Sequence, residues 1–385
     1  MSTCFDLAVI GAGPAGAAAA LAASRAGLSV GLFEPQTMPD KPCGEGILPS
    51  GVAALRELEL PGLLGRAHAL ARIRYVLASG RALEVALPAA GCALERPVLS
   101  AALARALARE RRVTCFQQRV SSQRCARGFR LQGASESWSA RTLIAADGLA
   151  GEGAVWLRGA GACRSPARYG LRARAEARRA LEHVEVHLGR TSEVYLTPLG
   201  GRRINVAVLR ADLPATERSS AAWLEAAMRE HPRAARVLGD WITPPEARAL
   251  NSARPLCVAA AGAFLAGDAT GGVDPVLGCG VAIALSTGLM AGRAACRVLA
   301  QGSGEPEHDY ARFVRHETAL RRALADGLVY LARHPTLQEL LARGLRTWPS
   351  VGALLARSVA GGPGKDSTDA TRAYPAERGT TATSP

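Results

Sequence analysis

The chain has 385 residues, of which 48% are hydrophobic and 21% are charged, so it can form one large domain or two interleaved domains with sizeable cores. Its net charge is +14, but the basic residues are nearly all Arg, they are spread along the chain, and aromatic residues make up only 4%. Nucleic-acid binding is therefore not expected. The 9 cysteines contain no C-x-x-C pair and no His at zinc spacing, which predicts neither a metal site nor a disulfide framework. We expect a cytoplasmic protein with no signal peptide and no membrane span.

The chain opens with the pattern of a dinucleotide clamp. An apolar strand over residues 6–10 enters a glycine-rich turn, an Ala-rich helix follows, and a second strand over residues 28–33 ends at Glu34. In such a clamp the first glycine allows a tight turn, the second lets the backbone approach a pyrophosphate, and the third lets the helix pack on the strand. The helix start favours the phosphate charges, and Glu34 is placed to accept the ribose hydroxyls, which disfavours NADP. The predicted binding residues are Gly11, Gly13, Pro14, Ala15, Gly16 and Glu34.

A short loop over residues 41–46 directly follows this second strand and is expected to fold back over the cofactor. Cys43 is a candidate to contact the substrate, supply a proton or attach to the cofactor, with Lys41 as its one activating neighbour. A packing cysteine is the alternative, because cysteine is among the residues most often buried. Glu45 is a candidate acid or base, but a solvated surface carboxylate is the favoured interpretation for it.

The middle of the chain alternates between two kinds of segment. Glu95-Arg96-Pro97 opens an amphipathic helix, and an apolar strand over residues 141–146 ends at Asp147-Gly148. Other segments alternate apolar and polar residues with a period of two and predict an antiparallel sheet, with Gly200-Gly201 as a hairpin turn. These segments cover residues 72–77, 182–188, 193–196 and 203–209.

A second glycine-rich motif follows the strand over residues 263–266. Gly267-Asp268 leads through a turn containing Pro275, Gly278, Cys279 and Gly280 into an apolar helix. A strand, a glycine-rich turn and a helix start together form a cradle for an anion or polar ligand. The alternative is that Gly267-Asp268 only caps a helix.

These elements in this order resemble the FAD-binding elements of the family of p-hydroxybenzoate-hydroxylase-type monooxygenases, geranylgeranyl reductases and flavin-dependent halogenases. The resemblance covers residues 1 to about 300. It implies that the clamp holds the ADP half of FAD, and that Arg96, Asp147 and Gly148 lie near the flavin and its phosphates. It also implies that Asp268 binds the ribityl chain and that the turn from Pro275 to Gly280 lies at the pyrimidine end of the flavin, where helix amides stabilise the charge of reduction.

The expected fold class is α/β, with a Rossmann-like, glutathione-reductase-type FAD-binding domain interleaved with an antiparallel substrate-binding sheet and followed by C-terminal helices. The predicted FAD-binding domain is discontinuous and covers 1–70, 96–165 and 256–305. The predicted substrate sheet covers 71–95 and 166–255, the C-terminal helical region covers 306–360, and 361–385 is expected to be disordered.

Two reaction classes remain open for an FAD-dependent oxidoreductase. The favoured one is a monooxygenase of secondary metabolism, in which reduced flavin and O2 oxygenate an apolar or aromatic small molecule in a mostly apolar pocket. The alternative is a geranylgeranyl-reductase-like enzyme or dehydrogenase that acts on an isoprenoid or other alkene. A non-catalytic flavin-binding module is the minor alternative, and halogenation is disfavoured because the family's W-x-W-x-I-P motif is missing.

The source of electrons is open as well. No second G-x-G-x-x-G clamp follows, so NADH or NADPH would bind only transiently. Hydroxylases of this family carry Ser and Arg where Gly151 and Ala154 stand, and His at the place of Gly271. The turn at Gly271 resembles the geranylgeranyl reductase version. The Cys43 loop resembles the corresponding loop of the same reductases.

The C-terminal region combines leucines at helical spacing with an excess of Arg. An interfacial helix on an anionic membrane is one interpretation of this pattern. The favoured interpretation is that the leucines pack onto the cofactor domain and the Arg side chains are solvated. Membrane contact is therefore not expected to be strong.

Overall fold

The computed structural model describes residues 4–36, 43–60, 62–149, 151, 155–159, 163–164, 168–212, 219–250, 253–347 and 349–360. Within these ranges the chain forms two large β-sheets, one two-stranded sheet and ten helices. The helices are α1 (Pro14–Arg25), α2 (Pro49–Glu57), α3 (Arg96–Arg109), α4 (Val155–Arg158), α5 (Ser220–Glu230), α6 (Pro232–Val237), α7 (Gly280–Gln301), α8 (Glu305–Ala332), α9 (Pro335–Thr347) and α10 (Pro349–Ala360).

The first sheet has the order β6-β2-β1-β9-β19-β18, with β8 and β7 added beside β9. Its inner strands are parallel and almost fully buried, as expected where helices cover both faces of a sheet. The strands of this sheet are β1 (Cys4–Ile10), β2 (Val30–Phe33), β6 (Val113–Phe116), β7 (Ser121–Cys125), β8 (Gly128–Gln132), β9 (Ser137–Ala145), β18 (Ala259–Ala260) and β19 (Ala263–Leu265).

The second sheet has the order β15-β11-β14-β13-β12-β4-β5-β3, with β16 also paired to β11. All of its pairs are antiparallel except that of β12 with β4. Its strands are β3 (Gly46–Ile47), β4 (His68–Val76), β5 (Ala82–Ala93), β11 (Arg168–Ala177), β12 (Val184–Leu188), β13 (Ser192–Gly200), β14 (Arg203–Arg210), β15 (Leu238–Trp241) and β16 (Glu246–Leu250). The two-stranded sheet pairs β10 (Cys163–Arg164) with β17 (Ala253–Arg254).

These sheets confirm the predicted α/β fold class. The hairpin at Gly200-Gly201 is confirmed as the connection between β13 and β14. Gly46 and Ile47, which lie in the segment predicted for the cofactor domain, instead form β3 and pair with β5 of the second sheet. The predicted division into domains stays a prediction, and the predicted disordered tail, 361–385, lies outside the described residues.

Helix α7 packs directly against α1 at two glycines. A Cβ atom on Gly288 would lie 2.1 Å from the carbonyl oxygen of Ala15, and one on Gly292 would lie 2.6 Å from that of Ala19. No larger residue fits at these crossings. By length and composition α7 is the one helix among the described residues that could cross a membrane, but 67% of its apolar window is buried, as in the core helix of a globular protein.

The two faces of the second sheet differ in what covers them. One face packs on α5 through residues such as Leu171, Ala173 and Trp223. The other face meets the turn Pro275–Leu277 and the helix α8. The C-terminal leucines pack there only in part. Leu324 and Leu328 join this core, whereas four leucines of α8 and α9 are exposed, so the expectation that these leucines pack is wrong for those four: Leu320, Leu337, Leu340 and Leu341.

Candidate active site

Four sequence motifs converge on one edge of the first sheet. The parallel strands β1, β2, β9 and β19 end in register, with Ile10 beside Phe33 and Ala145 beside Leu265. Ligands of open parallel sheets bind outside the carboxyl ends of the strands. The turn after each strand therefore brings Gly11, Glu34, Asp147 and Gly267, which the sequence analysis singled out, to the same edge.

The three clamp glycines serve two different purposes. Gly11 has φ +96°, and a Cβ there would lie 2.5 Å from the carbonyl oxygen of Ala146. A Cβ on Gly16 would lie 1.8 Å from the carbonyl oxygen of Gly11. By contrast, a Cβ on Gly13 would meet no protein atom within 4 Å. Gly11 and Gly16 are thus required by the protein's own packing, and Gly13 opens space where a ligand can approach.

Helix α1 begins directly in this open space. Pro14 occupies its first turn, as is common at helix starts. The first amides of a helix have no partner within the helix, so those of Ala15 and Gly16 can be offered to an anion. Glu34, at the end of β2, accepts hydrogen bonds from the backbone amides of Ala12 at 3.0 Å and Gln36 at 3.2 Å. A carboxylate has about four acceptor positions, so Glu34 keeps capacity for ribose hydroxyls.

Arg96 and the Asp147-Gly148 pair lie at the same edge. The Nε atom of Arg96 is buried without a hydrogen-bond partner in the described part of the chain, and such an unmatched donor is costly unless a ligand accepts from it. Gly148 has φ +88° and no protein atom within 4 Å of its Cβ position. A Cβ on Gly151 would lie 2.0 Å from the carboxyl group of Asp147, so a larger residue at position 151 would require this carboxyl group to move.

The Gly267-Asp268 motif forms a short 3-10 turn, Gly267–Thr270. Gly267 has φ +62°, and its amide donates to Thr287 Oγ1 of α7 at 2.9 Å. Asp268 is exposed between buried neighbours. From α8, the Arg322 guanidinium donates to the carbonyl oxygens of Thr270 and Gly272, both at 3.0 Å. Contacts with Thr287 and Arg322 therefore hold the turn against α7 and α8, while the Asp268 side chain is exposed.

The second turn, Pro275–Leu277, leads into the start of α7. Gly278 has φ +63°, and the Cβ positions of Gly278 and Gly280 meet no protein atom within 4 Å. Cys279 is buried, and burial raises the pKa of its thiol to about 11. Cys279 therefore stays protonated at neutral pH and contributes packing, and the open space lies beside the two glycines and the first amides of α7.

A buried ion-pair group supports this turn from the second sheet. The carboxylate of Asp274 accepts from the Val276 amide at 3.0 Å, and Arg168 of β11 bridges Asp274, at 3.4 Å, and Glu193. Tyr195 donates its hydroxyl to the carbonyl oxygen of Val276 at 3.0 Å. Burial raises the pKa of Glu193 to about 7, and it also raises the pKa of Asp274. The turn is thus attached to the sheet by charges.

The Cys43 loop is held between the two sheets. The Cys43 carbonyl accepts from Asn205 Nδ2 at 3.2 Å, and the Cys43 Sγ atom accepts from the Glu45 amide at 3.3 Å. The Glu45 carbonyl accepts from the Leu94 amide at 2.9 Å, and its Oε1 atom accepts from the Arg96 amide at 3.0 Å. Cys43 itself is half-buried, while Lys41, its predicted activating neighbour, lies outside the described residues.

Glu45 is 1% exposed, so the expectation of a solvated surface carboxylate is wrong. Arg174 of β11 holds it with two nitrogens, through Nε to Oε2 at 3.2 Å and through Nη2 to Oε1. The Nη1 atom of Arg172 lies 3.7 Å from Oε1. Glu45 also has φ +59°, a backbone conformation that non-glycine residues rarely adopt. Its catalytic role stays a prediction, and these contacts anchor the loop to β11.

Sequence reasoning missed Arg172, Arg174 and Asn205. Alternate residues of β11 are polar from Arg172 to Glu176, while the residues between them enter the core. This period of two was the available signal for a buried polar face. The expectation of a mostly apolar pocket needs correction at this end of the sheet. The apolar end is formed by residues such as Val186, Ala207 and Leu209.

The residues at this edge fit FAD. Open space lies at the Cβ positions of Gly13, Gly148, Gly278 and Gly280, helices begin directly after Gly13 and at Gly280, and the unmatched Nε of Arg96 supplies a buried donor. A family model described as glucose inhibited division protein A matches residues 6–208, more than half of the chain. The chain belongs to this FAD-binding family. The resemblance to FAD-dependent oxidoreductases is confirmed, and FAD is the cofactor of the family.

The chain is also similar to individual proteins, in one case by sequence and in two cases by structure. Over 56 residues the chain is 54% identical to a menaquinone reductase of Mycobacterium tuberculosis, and the match covers 14% of the chain and 14% of that relative. The flavin-dependent brominase Bmp2 has a similar structure, with a TM-score of 0.78 and 18% identity over 93% of this chain and 94% of that one. A geranylgeranyl bacteriochlorophyll reductase-like protein of Thermoplasma acidophilum has a TM-score of 0.71 and 18% identity, covering 86% and 88%. At these identities the two structures show the fold alone.

Proposed function

We propose that this FAD-dependent oxidoreductase is a reductase that saturates a carbon–carbon double bond in a lipid-soluble isoprenoid or quinone-type compound. The observation that carries the proposal is the 54% identity with a menaquinone reductase over 56 residues. Gly271, which stands where hydroxylases carry His, and the Cys43 loop both resemble the reductase branch. The favoured reaction of the sequence analysis, oxygenation, becomes the second candidate.

The geometry gives this chain's residues distinct parts in such a reaction. Bound FAD supplies a hydride when reduced. The Glu45–Arg174 pair fixes the Cys43 loop against the second sheet, and the Glu45 amide orients the Cys43 sulfur. Saturation of a double bond also needs a proton. The Glu45 carboxylate is occupied by its ion pairs with Arg174 and Arg172, so Cys43 is the group of this loop that we assign to proton donation on the substrate side.

We infer the substrate class from one face of the second sheet, whose two ends differ in polarity. Arg172, Arg174 and Asn205 form a polar end next to the Cys43 loop, and an apolar end continues toward α8. A molecule with a polar ring or head and an apolar chain matches this division. The fold is shared with the brominase, but the W-x-W-x-I-P motif is missing from the sequence. Halogenation therefore stays disfavoured.

The test is a reaction of the reduced holoenzyme with and without oxygen. Dithionite, NADH and NADPH are each used to reduce the purified flavoprotein under anaerobic conditions, and a menaquinone is then added. Saturated product formed without O2 supports the reductase. Product formed only after admission of air, with O2 consumed in proportion, supports oxygenation instead.

A Cys43→Ala variant should bind and reduce flavin normally but form product at least about tenfold more slowly, since general acid catalysis typically contributes a factor of ~10² or more. Cys115→Ala is the matched control because this thiol is exposed on β6 of the first sheet. Equal rates in the two variants would remove Cys43 from the reaction.

A further inference from the structure

One side of helix α9 is apolar and exposed to solvent, and polar contacts on its other side fix the orientation of the helix. Leu337, Leu340 and Leu341 are 37%, 62% and 42% exposed, and we call these three residues the α9 leucine face. Gln338 and Ala342, on the opposite side of the helix, are buried. Three large apolar residues on one side of a helix form a wider apolar area than the scattered single residues that are normal on protein surfaces.

The orientation of α9 is set by polar contacts of its inner side. Gln338 Oε1 accepts from the Ala78 amide at 3.0 Å, and Gln338 Nε2 donates to the carbonyl oxygen of Ala332 at 3.0 Å. Glu339 binds Arg81 at 2.9 Å. Turning the leucines inward would break these contacts, so their exposure is a built feature of the helix.

The exposed charges of α9 and α10 that lack an ion pair in the described part of the chain are positive. Arg333, Arg343 and Arg357 are exposed, and neither Arg343 nor Arg357 has an ion pair within the part of the chain that the structure describes. The acid of α9, Glu339, is already paired with Arg81. The whole chain carries a net charge of +14. Leucines flanked by unneutralised arginines are the pattern of an interfacial helix on anionic lipid.

The inner side of α9 is continuous with the candidate active site. Ala332 and Ala342 belong to the same buried cluster as Val276 and Leu277 of the turn that precedes α7. That cluster also contains residues of the apolar end of the second sheet. A lipid surface on the outer side of α9 would thus lie one helix away from the site proposed for an apolar substrate.

We propose that the α9 leucine face docks the protein on the surface of an anionic phospholipid bilayer. The leucines enter the boundary between headgroups and acyl chains, while Arg343 and Arg357 contact lipid phosphates. The biological purpose of this contact rests on the proposed lipid-soluble substrate. The contact itself does not, because lipid binding is measured without turnover.

The test is co-sedimentation of the holoprotein with vesicles of phosphatidylcholine alone and of phosphatidylcholine containing about one third phosphatidylglycerol. We expect binding to the anionic vesicles that is at least about tenfold stronger than to the neutral ones and that weakens several-fold in high salt, since screening removes the electrostatic part. Leu340→Glu should reduce binding to anionic vesicles at least about tenfold, because burying a charge in the apolar boundary is costly.

The control is Ile242→Glu, which places the same charge on an apolar residue that is 46% exposed beside α5, across the second sheet. Arg343→Gln and Arg229→Gln form a second pair, with the α9 variant alone expected to lose binding. No binding by the wild-type protein, or equal loss in Leu340→Glu and Ile242→Glu, would overturn the proposal. A wild-type dimer in solution that Leu340→Glu converts to a monomer would show instead that a second copy of the chain covers this face.

Discussion

The nucleotide clamp and the Cys43 loop lie at neighbouring edges of the molecule but are built in opposite ways. The clamp is built from backbone, since Gly11 and Gly16 let strand, turn and helix pack within distances that a Cβ would forbid. The loop is built from buried charge, since Glu45 is held by Arg174 and Arg172 and by the amide of Arg96. One region is therefore held by close backbone packing, and the other depends on a few side chains.

Replacing Gly16 and Gly13 one at a time distinguishes a glycine that the protein's own packing requires from one that ligand binding requires, and it should give the largest effect. Gly16→Val places a side chain 1.8 Å from a carbonyl oxygen, so we expect a loss of more than about 3 kcal/mol of folding free energy and little folded protein. Gly13→Val should keep the fold and lose FAD. Thermal unfolding and the flavin absorbance per protein measure the two effects. A folded, flavin-free Gly16→Val protein would contradict the packing role.

Breaking the ion pair of the loop should give the next largest effect. Glu45→Gln removes the buried carboxylate that binds Arg174 and leaves Glu95, 3.6 Å from Arg174 Nε, as the more distant partner, so we expect a cost of about 3 kcal/mol, the lower end for breaking a buried ion pair. Arg202→Gln is the control because its ion pair with Glu176 is exposed and is expected to contribute less than ~1 kcal/mol. Urea unfolding of the two variants and of Glu45→Gln/Arg174→Met gives the comparison. If the double variant is no more stable than Glu45→Gln, the two residues are not coupled.

Replacing Asp268, the residue predicted to bind the ribityl chain of FAD, should have a smaller effect. Because the side chain is exposed, Asp268→Ala should leave the free energy of unfolding of the apoprotein unchanged. An unpaired buried ribityl hydroxyl costs about 1–3 kcal/mol, so the dissociation constant of FAD should rise about 5- to 150-fold. Flavin fluorescence titration measures this constant. Asp240→Ala, at an exposed acid on β15 of the second sheet, should not change it.

The last test concerns the pH dependence that arises from the charges behind the turn Pro275–Leu277. Burial raises the pKa of Glu193 from its ordinary value of 4.5 to about 7. Between these values the folded protein binds a proton that the unfolded chain has lost, so the free energy of unfolding should fall as pH rises from 4.5 to 7. Glu193→Gln should remove this part of the slope. Urea unfolding at several pH values measures it, and an unchanged slope would exclude Glu193 as its source.

The same comparison explains what could be predicted from sequence. The clamp, the Gly267-Asp268 motif and the turn before α7 are local patterns, and the rule that parallel strands end at one edge brings them together. Glu45 and Arg174 are separated by 129 positions, and Cys43 and Asn205 by 162. Their pairing depends on the register of β11 and β14, which no local pattern determines. The exposure of Leu340 escaped prediction for a similar reason, since a leucine stripe does not reveal which side of α9 meets the core.

The close contact of α1 with α7 has a consequence for how the cofactor is acquired. The two helices touch through Gly288 and Gly292, with no intervening side chain that could adjust its rotamer. The distance between their N-termini is therefore set before any ligand arrives, and these ends are predicted to meet the pyrophosphate and the flavin ring. A site that is already ordered loses little conformational entropy on binding. Apoprotein stripped of its flavin should accordingly regain it in a single rapid phase, without a slow folding step. It should also bind FAD more tightly than shorter flavins that lack the adenylate half.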